Sequence, residues 1–495
     1  YKLNTEEVDF SDFRVLLVYA NSPMDNLFPV GLSSIGGMLK KHKIDYEIFD
    51  TTYYPNDGRL GVNKSHIKSR DENLIDRLQV AEFDYNLVGI KYIETNVFDD
   101  FRKKVLDYKP SVIMLSTVEP THKFGIEMLN AVRDLKIPTF VGGCFAIFAP
   151  EKCFSDDAVD YMCVGEGEYA NIEFCKALAQ GKDTKHIKGV WAKDGDKIIR
   201  NPKGPLVEMS DLPMLDFSKY DPKRIYRPMS GKLWKMVPIE FSRGCPYKCF
   251  YCDIYKTSEN HNRRSVEHFF NEVKQLADIG VKRFEFIDDI FNVNKKSCSE
   301  FFKLVIKHKL DAQFFFPTGL KGDLLDEELI DLMVEGGSIG LNLSLEHASP
   351  RMQKVMRKNL DVEKFRENIQ YVATKYPSVV VGLYTMHGFP TETEDEAYET
   401  LNFIKSIKWV HFPYMFNVRV FPGTEIEHFA LEQGISKKVI EESQDMSYAE
   451  GSPTIAFSKE FTTMIRARFI KEYMLNKERL LKVLPHQMKR FTEDE

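Results

Sequence analysis

The run Lys235-Met236-Val237-Pro238-Ile239-Glu240-Phe241, followed by Ser242-Arg243-Gly244 and then Cys245-Pro246-Tyr247-Lys248-Cys249-Phe250-Tyr251-Cys252, decides how this chain is read. An apolar run suited to a buried parallel strand leads into a loop with three thiols in eight residues. Three thiolates on one loop converge on one metal centre. Closed zinc and iron–sulfur sites usually take four ligands, and this spacing gives three. A 4Fe–4S cluster held here keeps one iron open, which is what catalysis needs. The alternative is a structural zinc completed by a remote His, and His261 is the one His near the loop.

Downstream of the loop, short apolar runs alternate with amphipathic stretches. Strands are predicted over 235–241, 282–287, 312–317, 339–345, 379–385 and 414–420. Between them, Val266, Phe269, Phe270, Val273 and Leu276 share one helical face that stops at Gly280. Further helices are predicted over 326–334, 362–373 and 394–407. Six consecutive βα units predict a partial (β/α)6 barrel whose chemistry sits at the C-terminal strand ends.

The same alternation fills the region before the linker. Strands are predicted over 13–19, 44–49, 111–115, 138–141 and 159–164. Leu32, Ile35, Met38 and Leu39 form a helical stripe, and 124–135 reads as a second helix. This pattern predicts a doubly wound, Rossmann-like α/β sheet. The domains are placed at 10–185 (sheet), 186–232 (a proline-rich linker with a hairpin), 233–440 (barrel) and 441–495 (helical).

Composition excludes several classes. With 68 basic and 74 acidic residues the net charge is −6, so there is no basic footprint for nucleic acid. No apolar run approaches the roughly 20 residues needed to span a bilayer. The first residues have no signal-peptide core, and a start at Tyr1 reads as a trimmed chain. Eight Cys in 495 residues are too sparse for a disulfide scaffold, which points to the cytoplasm. Cys144, Cys153, Cys163, Cys175 and Cys298 show no ligand spacing and read as core thiols.

The cysteine loop after a first barrel strand resembles the signature of the radical S-adenosylmethionine (SAM) enzymes. In that family the open iron of the cluster, held here by Cys245, Cys249 and Cys252, chelates SAM. Reductive cleavage then gives a 5′-deoxyadenosyl radical that abstracts a substrate hydrogen. The resemblance implies SAM contacts at Tyr251 (adenine), Asp288 (amino end), Lys321 (carboxylate, where many relatives carry Arg) and Glu346 (ribose). Gly388-Phe389-Pro390-Thr391-Glu392-Thr393 resembles the family's G-x-P-G-E-T turn, with Thr391 in place of the second Gly. Phe421-Pro422-Gly423-Thr424 is similar to its P-G-T turn. Both turns read as scaffolding. Tyr384, His387 and Arg419 are candidate catalytic or substrate-facing groups near strand ends, while Phe314, Phe315 and Phe316 read as packing.

A Rossmann-like sheet before such a barrel resembles the cobalamin-binding-domain radical SAM enzymes, the class B methylases. That resemblance implies a cobalamin site at Ser116, Thr117, Gly142, Gly143, Gly165, Glu166 and Gly167. Many cobalamin proteins place a cobalt-ligating His after the first strand; here 21–29 has none, and His122 reads as a surface His. The expected function is cobalamin-dependent methylation of an unactivated carbon in a small-molecule, lipid or peptide substrate. Electrons would come from a donor such as flavodoxin or ferredoxin. The alternatives are a non-methylating radical reaction (cyclisation, ring contraction, dehydration or epimerisation) and an iron–sulfur electron carrier or sensor.

Overall fold

The computed structural model describes residues 7–55, 85–229, 232–252, 254, 261–420, 424–444 and 455–492. The chain divides into two compact units that part between Arg227 and Pro228.

The first unit is an α/β sheet. Its parallel strands Arg14–Tyr19, Asp45–Asp50, Val112–Ser116, Thr139–Gly142 and Tyr161–Cys163 lie in the spatial order two, one, three, four, five. Val15, Leu16, Leu17 and Val18 are all fully buried. A strand with no polar alternation needs cover on both faces. Leu32, Ile35 and Met38 of helix Val30–Lys41 pack on one face with Ile172 and Phe174 of helix Gly167–Ala179. Phe101 and Val105 of helix Val97–Tyr108 and Met128 and Leu129 of helix Glu119–Asn130 cover the other.

The segment read as a linker begins inside this sheet. Val190–Asp194 pairs antiparallel with the fifth strand and Lys197–Arg200 with Val190–Asp194, giving seven strands in all. Further on, Arg224 has 0% exposure; it pairs with Asp50 at 3.1 Å and also donates to Thr52 Oγ1 and the Leu27 carbonyl. These residues therefore belong to the core of the first unit.

The second unit is an open sheet of six parallel strands in sequence order: Val237–Ile239, Arg283–Phe286, Gln313–Leu320, Ser338–Glu346, Val380–His387 and Phe412–Asn417. Its helices Val266–Asp278, Glu327–Glu335, Val362–Lys375 and Glu394–Ser406 follow the expected stripes. Each is N-capped by Ser, Asp or Thr, and Thr393 with Glu396 forms a capping box. Helix Lys295–Lys307, between the second and third strands, lies outside the sequence reading; it buries Cys298, Phe301, Phe302 and Val305. Phe314 and Phe316 are also core, the latter stacked on Phe286 with ring centroids 4.6 Å apart. Phe421, Pro422 and Gly423 lie outside the described residues, while Thr424 caps helix Glu425–Glu432. Among the described residues no helix is long and apolar enough to cross a membrane.

Removing the Arg224 guanidinium leaves Asp50 and Thr52 without their cation in a closed site. Arg224→Ala is expected to destabilise the first unit by about 3–5 kcal/mol. A thermal scan checks this, and an unchanged midpoint would contradict it.

Candidate functional site

Backbone hydrogen bonds and one buried ring hold the cysteine loop. Phe250 N–H donates to the Met356 carbonyl at 3.1 Å, and Cys252 N–H to the Cys249 carbonyl at 3.0 Å. The Phe250 ring is buried among Met352, Met356, Phe389 and Val418. At the start of the loop Gly244 takes a positive φ of 79° and donates to Asp289 Oδ2 at 2.8 Å. Cys245, Cys249 and Cys252 are free thiols with partial exposure. Burial pushes the Cys245 thiol up to about 11 and the Cys252 thiol up to about 12. Burial also raises Cys249, against the pull of the Lys358 and Lys321 charges and a hydrogen bond with Tyr251. A coordinated thiol is deprotonated outright, so iron would override these shifts.

Three thiols on one loop, with two lysines nearby, are a donor set suited to a cluster. Among the described residues no three His, Cys, Asp or Glu side chains gather at the spacing of a single metal ion. His261 Nε2 lies 3.3 Å from the Ile290 carbonyl oxygen.

Two of the expected SAM contacts are engaged within the fold. Asp288, 1% exposed, accepts from Phe241 N–H at 3.1 Å and from Ser242 N–H and Oγ at 2.6 and 2.5 Å. Burial raises its pKa to about 7. Its carboxyl group ties the first strand end to the second. Lys321 places Nζ 2.8 and 2.7 Å from the two Asp323 oxygens and 5.0 Å from the Tyr247 ring centroid. It is a buried ion pair under the loop.

Glu346 and Tyr251 are better placed. The fourth strand carries a register irregularity between Ser344 and Glu346, and Glu346 adopts φ 65°. A bulge with a left-handed residue re-aims a side chain at a strand end. Glu346 Oε1 lies 3.0 Å from Nζ of Lys358, which is 7% exposed. Lys358 is a candidate site residue that sequence reasoning missed. It sits 12 residues beyond Glu346 in an irregular loop, flanked by Arg357 and Asn359 with φ of 55° and 48°. Tyr251 packs on Phe389 with ring centroids 5.7 Å apart, and desolvation followed by the Glu346 charge raises its phenol pKa. Phe389 belongs to the turn that resembles G-x-P-G-E-T. Thr391 there has φ 69°, a conformation that costs a β-branched residue about 1–2 kcal/mol and suits the family's Gly.

Tyr384, His387 and Arg419 do not form one constellation. Tyr384 and His387 are three apart on the fifth strand, and so point to opposite faces. Tyr384 Oη accepts from Asn342 Nδ2 at 2.6 Å and donates to the Pro317 carbonyl at 2.7 Å. His387 is 1% exposed and stacks on Phe457; burial, then the Arg466 charge, lowers its pKa to about 3. Arg419 is buried beyond the last strand.

In the first unit the expected cobalamin residues line one edge, the C-terminal ends of strands three to five. Ser116 pairs with Gly142, and Thr117 N–H donates to the Gly142 carbonyl at 3.0 Å. Gly143, at φ 99°, is required by the fold: a Cβ there would lie 2.4 Å from the Thr117 carbonyl oxygen. A Cβ at Gly167 would meet Asn171 Nδ2 at 2.8 Å. Gly142 and Gly165 differ. At Gly142 a Cβ would touch only Cys163 at 3.8 Å, and at Gly165 it would meet nothing within 4 Å. That bare backbone is a surface a large ligand can approach closely. Glu166 Oε2 accepts from Val207 N–H at 2.6 Å. The loop after the first strand has no His; instead, Asn21 Nδ2 bridges the Asp25 carbonyl and Thr52 Oγ1. His122 is half-buried against Phe145, with Nδ1 3.5 Å from Thr117 Oγ1. Of the remaining cysteines Cys144 is exposed, contrary to the sequence reading, because it follows Gly143 at the strand edge.

Comparison with known proteins agrees with this geometry. Residues 17–174 match the B12 binding domain and residues 239–404 the radical SAM superfamily. The chain thus joins a B12 binding domain to a radical SAM domain, which imply a 4Fe–4S cluster, SAM and cobalamin as cofactors. An uncharacterized methyltransferase of Pyrococcus horikoshii is 24% identical over 79% of this chain and 85% of its own length. An anaerobic magnesium-protoporphyrin IX monomethyl ester cyclase of Rubrivivax gelatinosus is 26% identical, over 61% of this chain and 55% of that enzyme. The fold is similar to that of the radical SAM methyltransferase TsrM from Kitasatospora setae, solved with cobalamin and a 4Fe–4S cluster bound. The TM-score is 0.64 at 17% identity, covering 85% of this chain and 75% of that one.

Replacing Cys245, Cys249 and Cys252 together with Ala is expected to reduce iron and sulfide content after anaerobic reconstitution to background. Retained iron–sulfide would refute the ligand set. In the first unit Gly143→Ala should cost about 2 kcal/mol or more, and Gly142→Ala less than about 1 kcal/mol. Chemical denaturation of the two variants side by side checks that order.

Proposed function

We propose that this protein is a cobalamin-dependent radical SAM methyltransferase acting on an unactivated carbon. The observation that carries the reading is the juxtaposition of Cys249, Tyr251, Glu346 and Lys358 in one unit of a chain whose other unit is a B12-binding fold. When bound, the cluster and SAM supply a 5′-deoxyadenosyl radical and cobalamin supplies the methyl group. Cys245, Cys249 and Cys252 hold the cluster. Lys358 offers a charge to the SAM carboxylate in the place expected for Lys321, Glu346 accepts from the ribose, and Tyr251 with Phe389 faces the adenine. Ser116, Gly142 and Gly165 border the corrin, with the buried Thr117, and with Gly143, Glu166 and Gly167, shaping the backbone beneath. No His ligand to cobalt is assigned.

Small-molecule, lipid and peptide substrates all fit this chemistry. A flavodoxin or ferredoxin is the proposed electron donor, and the proposed location is the cytoplasm. The second reading is a radical reaction without methyl transfer, favoured by the similarity to a cyclase.

The two readings differ in co-products. Reconstituted protein loaded with cobalamin and given SAM under reducing conditions should release about one equivalent of S-adenosylhomocysteine per cobalamin, besides 5′-deoxyadenosine. Release of 5′-deoxyadenosine alone would favour the second reading. Lys358→Ala should weaken SAM binding by about 1–3 kcal/mol, the range for bonds to a charged group, with iron content unchanged.

A further inference from the structure

Directly after Glu346, His347 has no exposed surface and joins two strand ends that the sequence keeps far apart. Its Nδ1 accepts from Ser349 N–H at 3.0 Å, so the ring proton sits on Nε2, which donates to Glu392 Oε1 at 3.0 Å. The other Glu392 oxygen accepts from the N–H groups of Gly388 and Phe389 at 2.6 and 2.9 Å. Those two bonds close the turn that presses Phe389 against Tyr251. The His347–Glu392 bond therefore ties the backbone of Glu346, held at φ 65°, to the turn that seats the Tyr251 ring.

We infer that His347, acting through Glu392, is a positioning residue that fixes the Glu346 and Tyr251 sides of the SAM site relative to each other. The inference rests on the reading of those two residues as SAM contacts. His347 touches neither cluster nor SAM. A left-handed Glu at a bulge persists only where its surroundings over-determine it, and the buried imidazole beside it does so. With the link cut, Glu346 relaxes toward ordinary strand geometry and the 388–392 turn loses its cross-strand anchor. Displacements of that size at supporting residues lower ligand affinity without removing a contact.

The test compares His347→Gln, whose amide reaches Glu392, with His347→Asn, which keeps an acceptor for Ser349 N–H but falls short of Glu392. The cluster-loaded variants are titrated with SAM by equilibrium dialysis, and the electron paramagnetic resonance of the reduced cluster is recorded with and without SAM. His347→Asn should raise the SAM Kd roughly tenfold and blunt the SAM-induced spectral change, while His347→Gln stays within about threefold of the parent. Iron content should be equal in all three proteins. Equal SAM affinity in the two variants would overturn the inference, as would loss of iron in step with loss of affinity, since that marks a merely structural His. Failure of the underlying reading would appear in the parent protein, as absence of SAM binding by a fully loaded cluster.

Discussion

The burial of the Phe250 ring is the constraint on which the radical chemistry depends. The loop that presents the three thiols is neither helix nor strand, so it has no regular ladder to hold it. One aromatic side chain between the second and third cysteines substitutes for that ladder. It sits 3% exposed among Met352, Met356 and Phe389, while its own N–H reaches the Met356 carbonyl. Burying a side chain of this size is worth about 2–3 kcal/mol, enough to keep one loop conformation dominant. Because its contacts come from the segments after strands four and five, the loop is registered against the elements that carry Glu346, Lys358 and the 388–393 turn.

Charge near the loop follows a consistent rule. The two lysines whose charges reach Cys249 are each held by a carboxylate: Lys321 by Asp323 and Lys358 by Glu346. A buried cation without a partner would lose its proton or its place. The two lysine charges lower the cost of thiolate at Cys249. The Lys358–Glu346 pair retains 9% and 13% side-chain exposure, more open than the 6% and 9% of Lys321–Asp323. The more open Lys358–Glu346 pair is the one assigned to a ligand.

The first unit solves a different problem, that of keeping backbone bare. Glycines at 143 and 167 are needed by their neighbours, since a Cβ would strike protein atoms. At 142 and 165 a Cβ would strike nothing, although φ 134° still favours Gly at 165, and both share the strand edge with Ser116 and Thr117. The antiparallel hairpin 190–200 lengthens the sheet beyond the fifth strand, and Arg224 closes the opposite side against Asp50.

Periodicity was enough to read most of the alternation of strands and helices, because a buried parallel strand and an amphipathic helix each leave a local pattern; helices Val97–Tyr108 and Lys295–Lys307 were not read from it. The three cysteines were legible for the same reason: they belong to one loop. Glu346 and Tyr251 were legible as candidates by position at a strand end and beside a cysteine. What only the tertiary structure decided depends on contacts between segments distant in sequence. Lys358 looks like any surface lysine until the chain folds it against Glu346, and Asp288 looks like a ligand until its oxygens meet the first strand. His387 and Tyr384 look like neighbours until strand parity sends them to opposite faces. The linker reading of 186–232 failed on the same ground, since a hairpin pairs with whatever edge it meets and the sequence does not record which edge is free. Local patterns record which element forms; pairings between elements are settled by packing, where the partner lies tens or hundreds of residues away.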